Sequence, residues 1–209
     1  MRSVAHWTPR YVLARTSLFI EQQLHPLDPW LTSEAIGLLD QLLRGTDVAI
    51  EFGAGRSTPW IAQRVGKLTS VEDNEEWFRR VSNKLSAAGI TNVDLIHRPR
   101  DVADEEGMIS AYVHEFDRFA DRSLDFVLID GMYRGHCAIR AMSKVKPGGL
   151  IVIDNANWFL PSSTHSPASR AADEPPLDET WQEFADFTRD WRRLLTSNGV
   201  FDTLISFAR

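Results

Sequence analysis

The chain has 209 residues, 43% hydrophobic and 25% charged, proportions that are typical of a soluble globular domain with one buried core. A formal net charge of -6 without any basic block argues against nucleic acid as a partner, and the single cysteine, Cys137, excludes an internal disulfide and a thiolate zinc site. No apolar stretch is long enough to cross a bilayer and the N-terminus lacks a clean signal core, so we expect a cytoplasmic protein with no membrane partner.

Two helices are predicted at the start of the chain. Thr8 and Pro9 suit an N-cap and a first helical turn, and the helix is expected to run to about Leu24. After a break rich in proline, a second helix is expected over about residues 33–43. Residues 1–45 therefore form a helical N-terminal segment ahead of residues 46–209.

Residues 48–74 predict a compact strand, turn, helix and strand unit. A β-branched strand end is followed by a turn that contains Gly53 and Gly55, where a ligand can approach the main chain without meeting a Cβ. Thr58 is then expected to cap a short helix that Gly66 ends. The next strand delivers Glu72 at its carboxyl end, which is where open α/β sheets bind their ligands.

The acids of this unit indicate the kind of ligand. A dinucleotide fingerprint wants a third glycine at position 58, where this chain has threonine. Glu51 would repel a pyrophosphate, but it can hold the ammonium and sulfonium end of a cationic ligand, directly or through water. Glu72 can accept hydrogen bonds from both hydroxyls of a ribose.

The remaining elements are predicted from periodicity and turn residues. We expect a helix to about residue 87, a strand over 93–97, one helix over 108–119, a strand ending at Asp130, a helix over about 136–144 and a strand ending at Asp154. Residues 157–177 show no period, which indicates either a functional lid or a disordered segment; because they leave the sheet edge beside the ligand, we favour a substrate lid. A helix over about 178–188 and a hairpin around Asn198 and Gly199 complete the chain.

Four motifs resemble those of the class I S-adenosylmethionine (SAM) dependent methyltransferases. They are the acid and glycine turn at residues 51–55, the acid at position 72, the strand and turn at residues 125–131, and the turn and strand at residues 146–154. The resemblance implies an α/β, Rossmann-like, doubly wound and mostly parallel seven-stranded sheet that ends in an antiparallel hairpin. In that family N-terminal helices often cover the cofactor cleft, so Trp7, Tyr11 or Trp30 is expected either to roof it or to pack the helices on the sheet.

The resemblance also implies the site residues. Those expected to bind the cofactor SAM are Glu51, Gly53, Gly55, Ser57, Glu72, Asp73, Asp101 and Asp130. Those expected to act on the acceptor are Asp130, Arg134, which suits a substrate carboxylate or phosphate, and His136, the best-placed base, with His165 as a weaker one.

A partial resemblance to the cation-dependent O-methyltransferases adds a metal hypothesis. Asp130, Asp154 and Asn155 are similar to that family's oxygen ligands, which suit Mg²⁺. The loop at residues 131–134 departs from the family pattern. Without a metal, Asp130 is expected to orient the substrate or the methionine amino group.

The predicted function is SAM-dependent methyl transfer to a small-molecule acceptor, with oxygen favoured over nitrogen. One alternative is a nicotinamide-dependent oxidoreductase, which Glu51, Thr58 and the terminal hairpin oppose. Another is a SAM-binding regulatory module without turnover. The oligomeric state is open, with a homodimer as one option.

Overall fold

A computed structural model describes residues 8–209, apart from the side chains of residues 104 and 105. The strands are β1 (Val48–Phe52), β2 (Lys67–Glu72), β3 (Val93–His97), β4 (Leu124–Ile129), β5 (Val145–Asp154), β6 (Arg192–Ser197) and β7 (Asp202–Phe207). The α-helices are α1 (Pro9–Leu24), α2 (Ser33–Leu42), α3 (Ser57–Ala62), α4 (Glu75–Ala87), α5 (Arg134–Lys144) and α6 (Glu179–Phe187). Short 3-10 helices cover Asp104–Ile109, Val113–Arg118 and Ala156–Trp158.

Within the described residues, seven strands form one sheet in the order β3-β2-β1-β4-β5-β7-β6. The pairs from β3 through β5 are parallel, and β7 runs antiparallel to both β5 and β6. The strand order reverses between β1 and β4, so the carboxyl ends of these two strands flank the crevice in which such sheets bind ligands. The predicted fold class and the terminal hairpin are confirmed.

Helices cover both faces of the sheet. On one face α5, α6 and the 3-10 helix at residues 113–118 bury large side chains such as Tyr112, Phe116 and Trp181. On the other face α2 and α3 bury Leu39 and Trp60 against the strands. This two-sided burial explains why the central strands read as continuous apolar runs.

The N-terminal helices have the predicted bounds. Thr8 caps α1 and Thr32 caps α2, each accepting a hydrogen bond from a backbone N–H of the first turn. Leu18 is the buried residue of α1, whereas Phe19 and Leu13 are exposed. In the part of the chain that the structure describes, no helix combines the length and apolar character needed to cross a membrane.

Two predicted helices differ from the structure. The single helix over residues 108–119 is wrong: the segment forms two 3-10 helices separated at Ser110, because the Asp101 carboxylate accepts the backbone N–H of Ala111 and the Ser110 hydroxyl. Thr58 is not an N-cap, since α3 already begins at Ser57 and the Thr58 hydroxyl accepts the backbone N–H of Gly55 at 3.0 Å.

Candidate functional site

A cavity of about 390 Å³ lies at the carboxyl ends of β1, β2 and β4. Most of the predicted cofactor-binding residues line it, namely Gly53, Gly55, Ser57, Glu72, Asp73 and Asp130. Their positions follow from the parallel sheet, since each of these residues lies at or just past the end of a strand. One cavity therefore brings together motifs that are far apart in the sequence.

At the cavity, the backbone turns that follow β1 and β4 come into close contact. Gly53 has a φ of +96, and a Cβ built on it would lie 2.8 Å from the carbonyl carbon of Asp130 and from the nitrogen of Gly131. A Cβ on Gly131 would likewise lie 2.7 Å from the nitrogen of Gly53. The two glycines allow the turns after β1 and β4 to touch, which a residue with a side chain would prevent.

Glu51, in β1, is fully buried and does not itself line the cavity, but Ser57 and Asp130, which do line it, are close enough to affect its pKa. Its Oε1 accepts a 2.6 Å hydrogen bond from the Ser70 hydroxyl, whereas its Oε2 is buried without a protein partner among the described residues. Burial raises the pKa of Glu51 to about 7; the hydroxyls of Ser70, Thr58 and Ser57 oppose the shift, and the charge of Asp130 adds to it. A buried carboxyl with one unsatisfied oxygen is prepared to receive a hydrogen-bond donor or a positive charge.

Glu72 ends β2 and faces the same cavity. One carboxylate oxygen accepts the backbone N–H of Asn74 at 2.9 Å, which fixes the side chain at the sheet edge. Burial raises the pKa of Glu72, an effect that the hydrogen bond from Asn74 opposes. A ribose diol offers two hydroxyl donors, and the second carboxylate oxygen of Glu72 is a further acceptor for them.

Some predicted residues lie elsewhere. Asp101 is exposed and outside the residues that line the cavity, and its carboxylate is engaged by Ser110 and Ala111, which lower its pKa. His165 is exposed and does not line the cavity.

Of the aromatic residues expected to roof the cleft, Trp30 lines the cavity. Arg56 also lines it, and its guanidinium lies 5.3 Å from the centre of the Trp30 ring. Trp7 lies outside the described residues.

Arg134 fills the space between the ends of β4 and β5. It donates to the carbonyl oxygen of Gly131 from Nε at 3.1 Å and to that of Asp154 from Nη1 at 2.6 Å. Its Nη2 donates to both the carbonyl oxygen and Oδ1 of Asp130, each at 2.8 Å. The guanidinium is thus committed to the protein rather than extended toward a substrate.

The three predicted metal ligands are adjacent but have other partners. Asp154 is nearly buried and accepts from the Asn155 amide at 2.7 Å and the Thr203 hydroxyl at 3.2 Å. Burial and the nearby charge of Asp130 raise the pKa of Asp154 well above its usual range, against the effect of Arg134. Among the described residues, no group of three or more His, Cys, Asp or Glu side chains is arranged to hold a metal ion. The structure therefore gives no support to the Mg²⁺ hypothesis.

A second cavity, of about 360 Å³, adjoins the first and shares Gly131, Met132 and Arg134 with it. Its wall includes His136, in the first turn of α5. The same cavity is also lined by a stacked aromatic pair, Phe159 and Trp181, whose ring centres are 4.7 Å apart and whose planes differ by 10°.

Sequence reasoning missed several cavity residues. Trp77 lines the first cavity and donates its indole N–H to the carbonyl oxygen of Ala54. Its position three residues after the Asn74 cap gave a signal for the helix but none for its orientation. Phe159 and Trp181 come from separate segments, so only the folded chain brings them together.

Comparisons with known proteins agree on the fold. No protein-family model matches the chain, and no curated protein is significantly similar in sequence. A candidate caffeoyl-CoA O-methyltransferase from Staphylococcus aureus is similar in structure with a TM-score of 0.60 and 16% identity, over 97% of this chain and 93% of that one. A candidate methyltransferase from Streptococcus mutans, solved with S-adenosylhomocysteine (SAH), has a TM-score of 0.54 and 12% identity, over 83% and 95%.

A SAM-dependent methyltransferase from Aquifex aeolicus is also similar, with a TM-score of 0.52 and 15% identity, over 90% of this chain and 98% of that one. At these identities the likeness establishes the fold. The chain has the class I SAM-dependent methyltransferase fold that its motifs resemble.

Proposed function

We propose that this protein transfers a methyl group from SAM to a small-molecule acceptor, with oxygen as the receiving atom. The observation that carries the proposal is the buried Glu51 carboxyl, whose Oε2 has no hydrogen-bond partner among the described residues, close to Ser57 and Asp130, which line the same cavity as Glu72. SAM brings an ammonium and a sulfonium to one end of such a cavity and a ribose to the other. The SAH held by the Streptococcus mutans neighbour supports the same cofactor class here.

The two adjoining cavities support separate binding sites for the cofactor and the acceptor. The cofactor occupies the first cavity, between Glu51 and Glu72, and the acceptor occupies the second, against Phe159 and Trp181. The cavities share Gly131 and Arg134, so the acceptor atom and the methyl group would meet there, where the transfer requires the acceptor atom, the methyl carbon and the sulfur to be aligned. The stacked aromatic wall suits a flat, partly apolar molecule.

An oxygen acceptor must lose its proton during transfer, and His136 lines the acceptor cavity. In this proposal His136 receives the proton from the acceptor hydroxyl, while Asp130, half-buried in the lining of the first cavity, orients the acceptor or the methionine amino group. The Staphylococcus aureus neighbour, named for O-methylation, supports oxygen over nitrogen. The net charge of -6 supports a small molecule over nucleic acid.

Calorimetric titration with SAM, SAH and NAD tests the cofactor assignment. We expect SAM and SAH to bind, NAD to bind at least about tenfold more weakly, and Glu72→Ala to weaken SAM by about tenfold, since a hydrogen bond at a charged group contributes about 1.5 to 3 kcal/mol. Glu183→Ala, at an exposed position of α6 outside the cavity, is the matched control. Tighter binding of NAD than of either sulfur compound would reject the proposal in favour of an oxidoreductase.

Turnover separates an enzyme from a SAM-binding regulatory module. Release of SAH is followed with a panel of phenols, catechols and aromatic amines in the presence of the wild-type protein. We expect turnover with a hydroxyl compound and about a hundredfold loss in His136→Ala, the range of a general base. Turnover with amines alone would contradict the oxygen assignment.

A further inference from the structure

The guanidinium of Arg134 stands among the groups that the resemblance to cation-dependent O-methyltransferases assigns to a metal ion. Its four hydrogen bonds join the carboxyl ends of β4 and β5, through Gly131, Asp130 and Asp154. An arginine has five N–H donors, so these bonds leave one N–H on Nη1. The side chain is only 17% exposed and lines both cavities. Because a guanidinium stays protonated, it places a positive charge where the two cavities adjoin.

Three of the carboxylate oxygens that a divalent cation would use already accept hydrogen bonds from other partners. Oδ1 of Asp130 accepts from Arg134. Oδ1 and Oδ2 of Asp154 accept from the Thr203 hydroxyl and the Asn155 amide, so Asn155 presents a donor here rather than a ligand oxygen. The residues present therefore do not fit a metal ion, and a guanidinium beside them would repel one.

Local sequence explains why the arginine takes this position. Tyr133 adopts a left-handed conformation, with φ 49, and α5 begins at the next residue, so Arg134 starts the helix four residues after Asp130. The spacing lets the side chain fold back over the turn and reach the carbonyl oxygens of Gly131 and Asp130 together. The turn is thus built around a cation that belongs to the chain.

We propose that Arg134 is the resident cation of this site, and that it makes the protein independent of divalent metal by occupying the place between Asp130 and Asp154. Removal of the guanidinium leaves two neighbouring carboxyl groups and the Asn155 amide around a vacated volume. Oxygen ligands of this kind bind Mg²⁺ and Mn²⁺. Substitution of Arg134 by a small residue is therefore expected to create a divalent-cation site that the natural chain lacks.

Mn²⁺ binding, followed by electron paramagnetic resonance and calorimetry, tests this inference without any methyl acceptor. The variants are Arg134→Ala, Arg134→Lys, which keeps a cation, and the double variant Arg134→Ala with Asp154→Asn. Arg79→Ala, which removes an arginine paired with Glu75 on the exposed face of α4, controls for net charge. We expect Arg134→Ala to bind one Mn²⁺ at least tenfold more tightly than the wild type and the other three variants.

Two results would overturn the proposal. One is stoichiometric Mn²⁺ binding by the wild type that Asp154→Asn abolishes, which would show that Arg134 yields its place to a metal. The other is a folded Arg134→Ala protein that binds Mn²⁺ no better than Arg79→Ala does. If Arg134→Ala folds poorly, its Tm is measured with and without millimolar Mn²⁺; a higher Tm with the ion supports the proposal and an unchanged Tm rejects it. Because the readout is metal binding, the outcome is independent of whether the protein is a methyltransferase.

Discussion

The Ser70 hydroxyl donates a 2.6 Å hydrogen bond to Oε1 of Glu51, while Oε2 of the same buried carboxyl has no protein partner in residues 8–209. The hydroxyls of Ser70, Thr58 and Ser57 do not compensate for the loss of water around the carboxylate, so burial raises the pKa of Glu51 from 4.5 to about 7. The folded protein without ligand therefore holds a proton that the unfolded chain releases more easily. Stability and ligand binding should both depend on that proton.

The first prediction concerns stability against pH. Because the pKa of Glu51 is raised in the folded state, its contribution is fully present below pH 4.5 and is lost as the pH rises through about 7. We expect Glu51→Gln to gain stability relative to the wild type by roughly 2 kcal/mol between about pH 5 and about pH 8, from a shift of this size. Urea unfolding across that range measures the difference, with Glu183→Gln, at an exposed position of α6, as the control. Parallel curves for wild type and Glu51→Gln would contradict the assignment.

The second prediction concerns proton release on binding. A cationic ligand end that reaches Oε2 favours the ionised carboxylate, so SAM should displace the Glu51 proton at any pH below about 7. Calorimetry in two buffers of different ionisation enthalpy counts the protons. We expect between about half and one proton released per SAM near pH 6.5 for the wild type, and close to none for Glu51→Gln, from the titration of one group of this pKa. Equal proton counts in the two proteins would exclude Glu51 as the source.

The third prediction separates the two glycines of the turn after β1. Gly53 has a positive φ and touches the backbone of Asp130 and Gly131, whereas a Cβ on Gly55 would meet only the Trp77 indole nitrogen at 3.7 Å. Gly53→Ala should therefore lower the free energy of unfolding by about 2 kcal/mol or more. Gly55→Ala should change it by less than about 0.5 kcal/mol, the usual range away from strained sites, yet weaken SAM binding because its Cβ enters the cavity.

Denaturant unfolding and SAM titration are measured on both glycine variants. The prediction requires that Gly53→Ala lowers the free energy of unfolding, and that Gly55→Ala lowers the affinity for SAM without lowering that free energy. A Gly55→Ala protein that binds SAM with wild-type affinity would show that the ligand does not approach this part of the main chain.

The sequence predicted the parts of the fold and site that depend on local order. The strand ends that carry Glu51, Glu72 and Asp130 could be predicted because apolar runs, glycine turns and acids follow one another within a few residues. The aromatic pair of the second cavity could not be predicted, because Phe159 and Trp181 come into contact only when α6 packs on α5.

Helical spacing alone also misled the prediction over residues 108–119. There the Asp101 carboxylate captures the backbone N–H of Ala111, a contact that no periodicity reveals. The contacts of Arg134 were likewise not predictable: its charge suggested a substrate anion, and nothing in the sequence indicated that three carbonyl oxygens and one carboxylate of the chain accept hydrogen bonds from it. A side-chain hydrogen bond to the backbone can thus override helical propensity.

The last prediction concerns residues 157–177, the expected lid. Asp202, fully buried in β7, accepts the hydroxyls of Thr164 and Ser166, and the backbone N–H of Arg170 donates to Asn157 at 2.9 Å. Asp202→Ala leaves these two hydroxyls without their acceptor, so amide exchange over residues 160–170 should accelerate by about tenfold or more, the effect of losing a charge-assisted hydrogen bond. Asp173→Asn, exposed in the same segment, should leave exchange unchanged. Because neither Thr164 nor Ser166 lines the first cavity, SAM affinity should persist in Asp202→Ala while turnover falls; unaltered turnover with a loosened segment would reject a lid role.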